Sequence, residues 1–96
     1  MNDKETVLTA LRTTPITQIK GQYWDGPECA CAMGVIYLAL NPDVRIVGDL
    51  PYVNGHSCVV TRLKNIPAEF ERHVVEMNDT GASFKDIADM LEANWK

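Results

Sequence analysis

From Cys29 to Leu40 the chain reads CACAMGVIYLAL, twelve residues without a charged or amide side chain. No other feature limits the possible folds as much. A bilayer-spanning helix needs about 20 apolar residues, so a run of this length belongs inside a protein. A helix that is apolar on every side has to be enclosed by other elements, because an amphipathic surface helix would keep a polar stripe. Pro27 and Glu28 stand just before the run. Proline suits the first position of a helix, and a carboxylate is favoured at the positive helix end. The spacing therefore predicts a central apolar helix from about Pro27 to Leu40, stopped at Asn41–Pro42–Asp43. Ala30 and Gly34, four apart, give that helix a small-residue face that another element can approach closely.

Helical periodicity recurs at both ends. Asp3 can cap a first helix that puts Val7, Leu8 and Leu11 on one face and ends near Arg12, before Thr13–Thr14–Pro15. Residues Ile16 to Pro27 read as a loop punctuated by Gly21 and Gly26, with a short extended piece at Ile16–Ile19. Near the C-terminus, Pro67 opens a helix to about Met77, with Phe70, Val74 and Met77 on one face. Gly81 suits a left-handed break, and Ser83 caps a last helix whose stripe is Phe84, Ile87, Ala88, Leu91 and Trp95. These two helices form an αα-hairpin that clamps the central helix. The middle leaves two readings open. VRIV and SCVVTRL are β-branched around an Asn54–Gly55 turn signal, which suits a small β-hairpin within residues 44–63; a short helix from Ser57 to Lys64 fits as well. The fold class expected is mainly α, with α+β as its variant, in one globular domain over residues 1–96.

Charge narrows the functional classes. Residues 1–66 hold six acids and six bases, so the net charge of −4 comes from the last third. There Glu69, Glu71, Glu76, Asp79, Asp86, Asp89 and Glu92 face only Arg72, Lys85 and Lys96. Nucleic-acid binders show the opposite, a basic stripe that displaces phosphate counterions. SFKDIADML, residues 83–91, has the form of the first helix of a helix-turn-helix, but its outward residues are mostly acidic. No direct nucleic-acid or membrane partner is expected. The three cysteines are an odd number, and the polar start MNDKETVLTALR has no apolar leader core. A cytoplasmic protein with reduced thiols is expected.

Three constellations could carry chemistry. Cys29, Cys31, His56 and Cys58 supply four zinc-type ligands in two X-x-X pairs. The usual spacing is C-x2-C, and two helical cysteines two apart point about 200° from one another, so core thiols are the preferred reading and no cofactor is expected. A Cys29 or Cys58 thiolate with His56 or His73 as base would make a cysteine-dependent enzyme, but no oxyanion-loop motif accompanies them. The third is a contact surface. Tyr23, Trp24 and Asp25 lie in a Gly-rich loop and either fold onto the core or form a hot spot, while Asp86, Asp89 and Glu92 make an acidic face for a basic protein surface.

Three sequence blocks carry a resemblance. They are Gln18 with Gly21–Gln22, then Cys31, Ala32, Gly34 and Val35, then Asn78, Asp79, Gly81, Ser83, Phe84, Ile87 and Ala88. Together they resemble a loose set of small uncharacterised bacterial and phage proteins that share a C-A-x-G-V helix start and an N-D-x-G-x-S-F-x-x-I-A motif. The resemblance covers about two-thirds of the chain and implies a helical fold and a mobile-element origin. It also implies action by binding a host protein, for example a defence complex such as CRISPR. Physically, the last block is a structural clip: Asn78 and Asp79 satisfy backbone groups at a helix break, Gly81 turns the chain and Ser83 restarts it. The chain is read as a non-catalytic protein–protein interaction module with a host protein as partner and a homodimer allowed. A small zinc-stabilised domain is the alternative, and a thiol enzyme the second.

Overall fold

The computed structural model describes residues 3–48, 50–53, 56–57 and 68–95, with the backbone alone at 56, 57 and 68. Along them run α1 (Asp3–Thr13), β1 (Thr17–Gln18), β2 (Cys29–Ala30), α2 (Ala32–Leu40), β3 (Arg45–Val47), β4 (Leu50–Val53), β5 (His56–Ser57), α3 (Ala68–Asp79) and α4 (Phe84–Asn94). The fold is mainly α with some β.

α1 buries Val7, Leu8 and Leu11, the face its periodicity predicts, and packs between α2 and α4. α2 is enclosed as expected: every residue from Ala32 to Tyr37 is buried. Its start is a correction. The helix begins at Ala32, and Pro27 does not open it. Residues 28–31 spend their backbone groups elsewhere. The Thr17 amide donates to the Glu28 carbonyl at 2.8 Å, that of Ile19 to Ala30 at 3.0 Å, and that of Cys31 to Tyr23 at 3.0 Å. The first two of these bonds build a parallel β1–β2 pair in the register Thr17↔Cys29 and Gln18↔Ala30, so tertiary pairing overrides the local helix signal. At the other end, Asn41 Nδ2 donates to the Tyr37 carbonyl at 2.8 Å and closes the last turn.

The middle is a three-stranded antiparallel sheet in the order β3-β4-β5. The strand at 45–47 pairs with 50–53, in the register Val47↔Leu50, Ile46↔Pro51 and Arg45↔Tyr52. Its two-residue connection includes Gly48 at φ 67°, the left-handed value that tight hairpin turns require. β5 pairs with β4 as Tyr52↔Ser57 and Val53↔His56. Ser57 is thus extended; the rest of the alternative helix, residues 58–64, lies outside the described residues.

α3 ends in a Schellman motif. The Ala82 amide reaches back to the Met77 carbonyl at 3.0 Å and that of Gly81 to Asn78 at 3.3 Å, with Gly81 at φ 105°. Ser83 Oγ then accepts the Asp86 amide at 3.1 Å and caps α4. An edge-to-face contact between Phe70 and Trp95, centroids 5.2 Å apart, joins the start of α3 to the end of α4. The clamp differs from the one expected: α3 lies on α2, while α4 lies on α1.

Candidate functional site

One buried polar side chain organises the centre of the molecule. Asn78, in the last turn of α3, is fully buried. Its Oδ1 accepts Gln18 Nε2 at 2.7 Å and the Ala32 amide at 2.9 Å, and its Nδ2 donates to the Ile19 carbonyl at 2.7 Å. Gln18 Nε2 also donates to the Ala82 carbonyl at 2.7 Å, and the Gly21 amide donates to Asp79 Oδ1 at 3.3 Å. Asn78 therefore does for α2 what Cys31 does not. Cys31 sits at the N-cap position without a capping hydrogen bond, and the Ala32 amide is satisfied from another helix. The Asn78–Asp79 clip expected locally at the helix break acts mainly at long range, joining α3 to β1 and to the start of α2.

Residues 19–28 form a loop whose ends are held side by side by β1 and β2, with its own Trp24 packed inside. Trp24 is 2% exposed, and its Nε1 donates to the Gly34 carbonyl at 3.2 Å. This corrects one predicted contact residue: Trp24 belongs to the core, where its ring neighbours Tyr23 and Tyr37. Gly34 is what lets it in. A Cβ there would overlap the Tyr23 carbonyl oxygen and press on Trp24 Nε1. Tyr23 is half-buried, packs edge-on against Tyr37 at 5.7 Å between centroids, and donates its hydroxyl to Glu71 on α3. Burial, reinforced by the Glu71 carboxylate, raises the pKa of the Tyr23 hydroxyl; the same causes push Tyr37 up to about 12. Asp25 is exposed at the loop tip.

Of the three cysteines, Cys29 and Cys31 lie among the described residues. Cys29 is half-buried in β2 and Cys31 is 4% exposed. Burial raises the Cys31 thiol, outweighing the opposing pull of the Gly34 and Met33 amides. Cys29 is on extended backbone and not at a helix start, so the helical geometry expected to separate it from Cys31 does not apply. The His56 side chain and Cys58 lie outside the described residues, and among the described residues no three metal-ligating side chains converge. His73 is exposed on α3.

Two surface features stand out. Val47 and Leu50, 58% and 50% exposed, face one another across the β3–β4 pair at the hairpin tip. No other large apolar side chain is so exposed among the described residues. Sequence reasoning missed them; the signal was an aliphatic residue on each side of Gly48–Asp49, masked by Pro51. The tip adjoins the Trp24 loop, since the Gly26 amide donates to the Gly48 carbonyl. The second feature is the acidic face of α4, where Asp86, Asp89 and Glu92 are all exposed. Arg12 from α1 engages two of them, at 2.8 Å to Asp89 and 3.2 Å to Glu92. Its guanidinium draws the Glu92 carboxyl below the usual range. Part of that face is therefore neutralised within the molecule.

No protein-family model, curated protein or solved structure matches the chain. No helix among the described residues is long and apolar enough to cross a membrane.

Proposed function

We propose that this chain is a non-catalytic protein-binding module, phage- or prophage-encoded, that acts in the cytoplasm by engaging and modulating a host protein such as a defence complex. The observation that carries this reading is the Val47–Leu50 pair. Single exposed aliphatics are ordinary on protein surfaces, but two exposed cross-strand partners at the tip of a hairpin form one apolar knob. The occupant proposed is a host protein with an apolar pocket for that knob. Asp25 and half-buried Tyr23 lie on the loop tied to the hairpin at Gly26 and extend the contact region. Asp86, with whatever charge Arg12 leaves on Asp89 and Glu92, favours a basic rim on the partner. Trp24 supports the loop from beneath and takes no part in the contact.

Site-specific photocrosslinking tests this in host cells. A Leu50→p-benzoylphenylalanine variant should give one discrete adduct with a host protein, and Val47→Ser should reduce it. The same photoreactive group at Lys85 on α4 should give far less of that adduct. An adduct of twice the chain mass would replace the host partner with a second copy. Absence of any discrete adduct would overturn the reading.

A further inference from the structure

The outer face of the β3–β4 pair carries more than the Val47–Leu50 knob. Side chains alternate along a strand, and the register sets Arg45 opposite Tyr52 two residues further from the tip. All four therefore stand on one face, while Ile46 and Pro51 between them point to the other side and are buried. Arg45 is exposed, and its Nη1 donates to the Pro42 and Val44 carbonyls at 3.1 Å each. These two bonds hold the guanidinium in place and leave Nη2 and Nε without a partner among the described residues. The chain has thirteen acids against nine bases, yet none of the described acids pairs with this arginine. The ion pairs among the described residues belong to Arg12.

We infer that this face docks an extended segment of the partner, one that carries a side-chain carboxylate two residues from an apolar side chain. The inference rests on the reading of Val47 and Leu50 as the partner contact and adds the chemistry that the partner presents there. The apolar side chain covers the knob, and the carboxylate takes Nη2 and Nε of Arg45. A guanidinium already held by two carbonyls offers that edge as a planar fork, which a carboxylate meets with two parallel bonds. The spacing comes from the strand itself. On extended backbone, side chains two apart share a face and stand about 6–7 Å from one another, which matches Arg45 and Val47 along β3. The knob supplies area without direction, whereas Arg45 sets the register and disfavours a neutral or basic segment.

The adduct formed by the Leu50→p-benzoylphenylalanine variant supplies the test. Peptide mass spectrometry should place the crosslink on an extended partner segment with an acid about two residues away. Adding Arg45→Glu should lower the adduct yield about fivefold or more, and Arg45→Lys, which keeps the charge and loses the fork, should lower it less. Replacing the partner's acid by lysine should restore the yield lost in Arg45→Glu, which a merely structural role of Arg45 would not allow. Thermal melts by circular dichroism check that each variant stays folded, and Arg45→Lys carries the comparison if Arg45→Glu does not. A crosslinked segment without a nearby acid would overturn this inference and leave the protein-binding reading in place. Equal yields from all three proteins, or no restoration by the exchanged charge, would do the same. Absence of any discrete adduct would remove both.

Discussion

Asn78 shows how much of this fold depends on a single amide. It uses both its oxygen and its nitrogen, on the buried Ala32 amide and on half-buried Gln18 and Ile19. Replacing it by leucine leaves the Ala32 amide and the Ile19 carbonyl without that partner. At about 1–3 kcal/mol for each stranded buried group, the loss should be on the order of 3–5 kcal/mol. That is a large share of the roughly 5–15 kcal/mol that holds a small domain folded, so the urea midpoint should fall sharply. Asn78→Asp, which keeps the acceptor and loses the donor, should fall between. A midpoint unchanged in both variants would mean that water replaces the amide. Gly34 fails by the opposite route. Gly34→Ala forces the Trp24 loop off α2 and should cost at least about 1–3 kcal/mol in a thermal melt, although alanine is the better helix former. The sequence marked Gly34 as a site of close approach, but by placing it on one helix face with Ala30, which in fact lies in β2 outside α2. It could not say that the approaching group is the Tyr23 carbonyl. Asn78 was legible only as a local clip, since the groups it serves lie 46 to 60 residues away.

At the scale of elements, α1 and α4 were readable because amphipathic periodicity records a buried face directly. Ser83 and Gly81 were readable because caps and left-handed turns demand particular residues at fixed offsets. β2 and β4 were hidden for physical reasons. Cys29–Ala30 is extended only because Thr17–Gln18 lies beside it, and Pro51 argues against a strand that it in fact occupies. In a two-residue hairpin the Ile46↔Pro51 pair is the non-hydrogen-bonded one, so β3 loses nothing by the missing amide. The α1–α4 contact yields a prediction that belongs to this scale. Arg12 draws the Glu92 pKa down, so the pair adds stability at pH values above the ordinary carboxylate range and loses it as pH falls through the depressed value. The melting temperature of the unaltered chain should exceed that of Glu92→Gln modestly at pH 7. The gap should close as pH falls through the depressed Glu92 value and shrink in high salt, as for other exposed pairs. A gap that persists in acid would assign the stabilisation to packing instead.

For the molecule as a whole, the question is whether the Trp24 loop, α2 and α3 form one cooperative unit around the tyrosine cluster. Tyr23 and Tyr37 meet at that junction, and both hydroxyls have raised pKa values, first through burial and then through Glu71. A group whose folded pKa lies above its unfolded one favours the folded state fully below the unfolded value, about 10 for tyrosine. It loses that contribution as pH rises through the folded value, about 12 for Tyr37. Alkali should therefore unfold the protein from this junction outward. Absorbance at 295 nm, which follows phenolate formation, should rise for Tyr23 and Tyr37 together with the loss of helical circular dichroism. Tyr37→Phe removes one phenol that must ionise and should move the helical transition to higher pH. Phenolate absorbance that grows fully near pH 10 with the helices intact would mean the cluster is open to solvent. Retained helix after both tyrosines have ionised would mean that the loop and the helices are separate units.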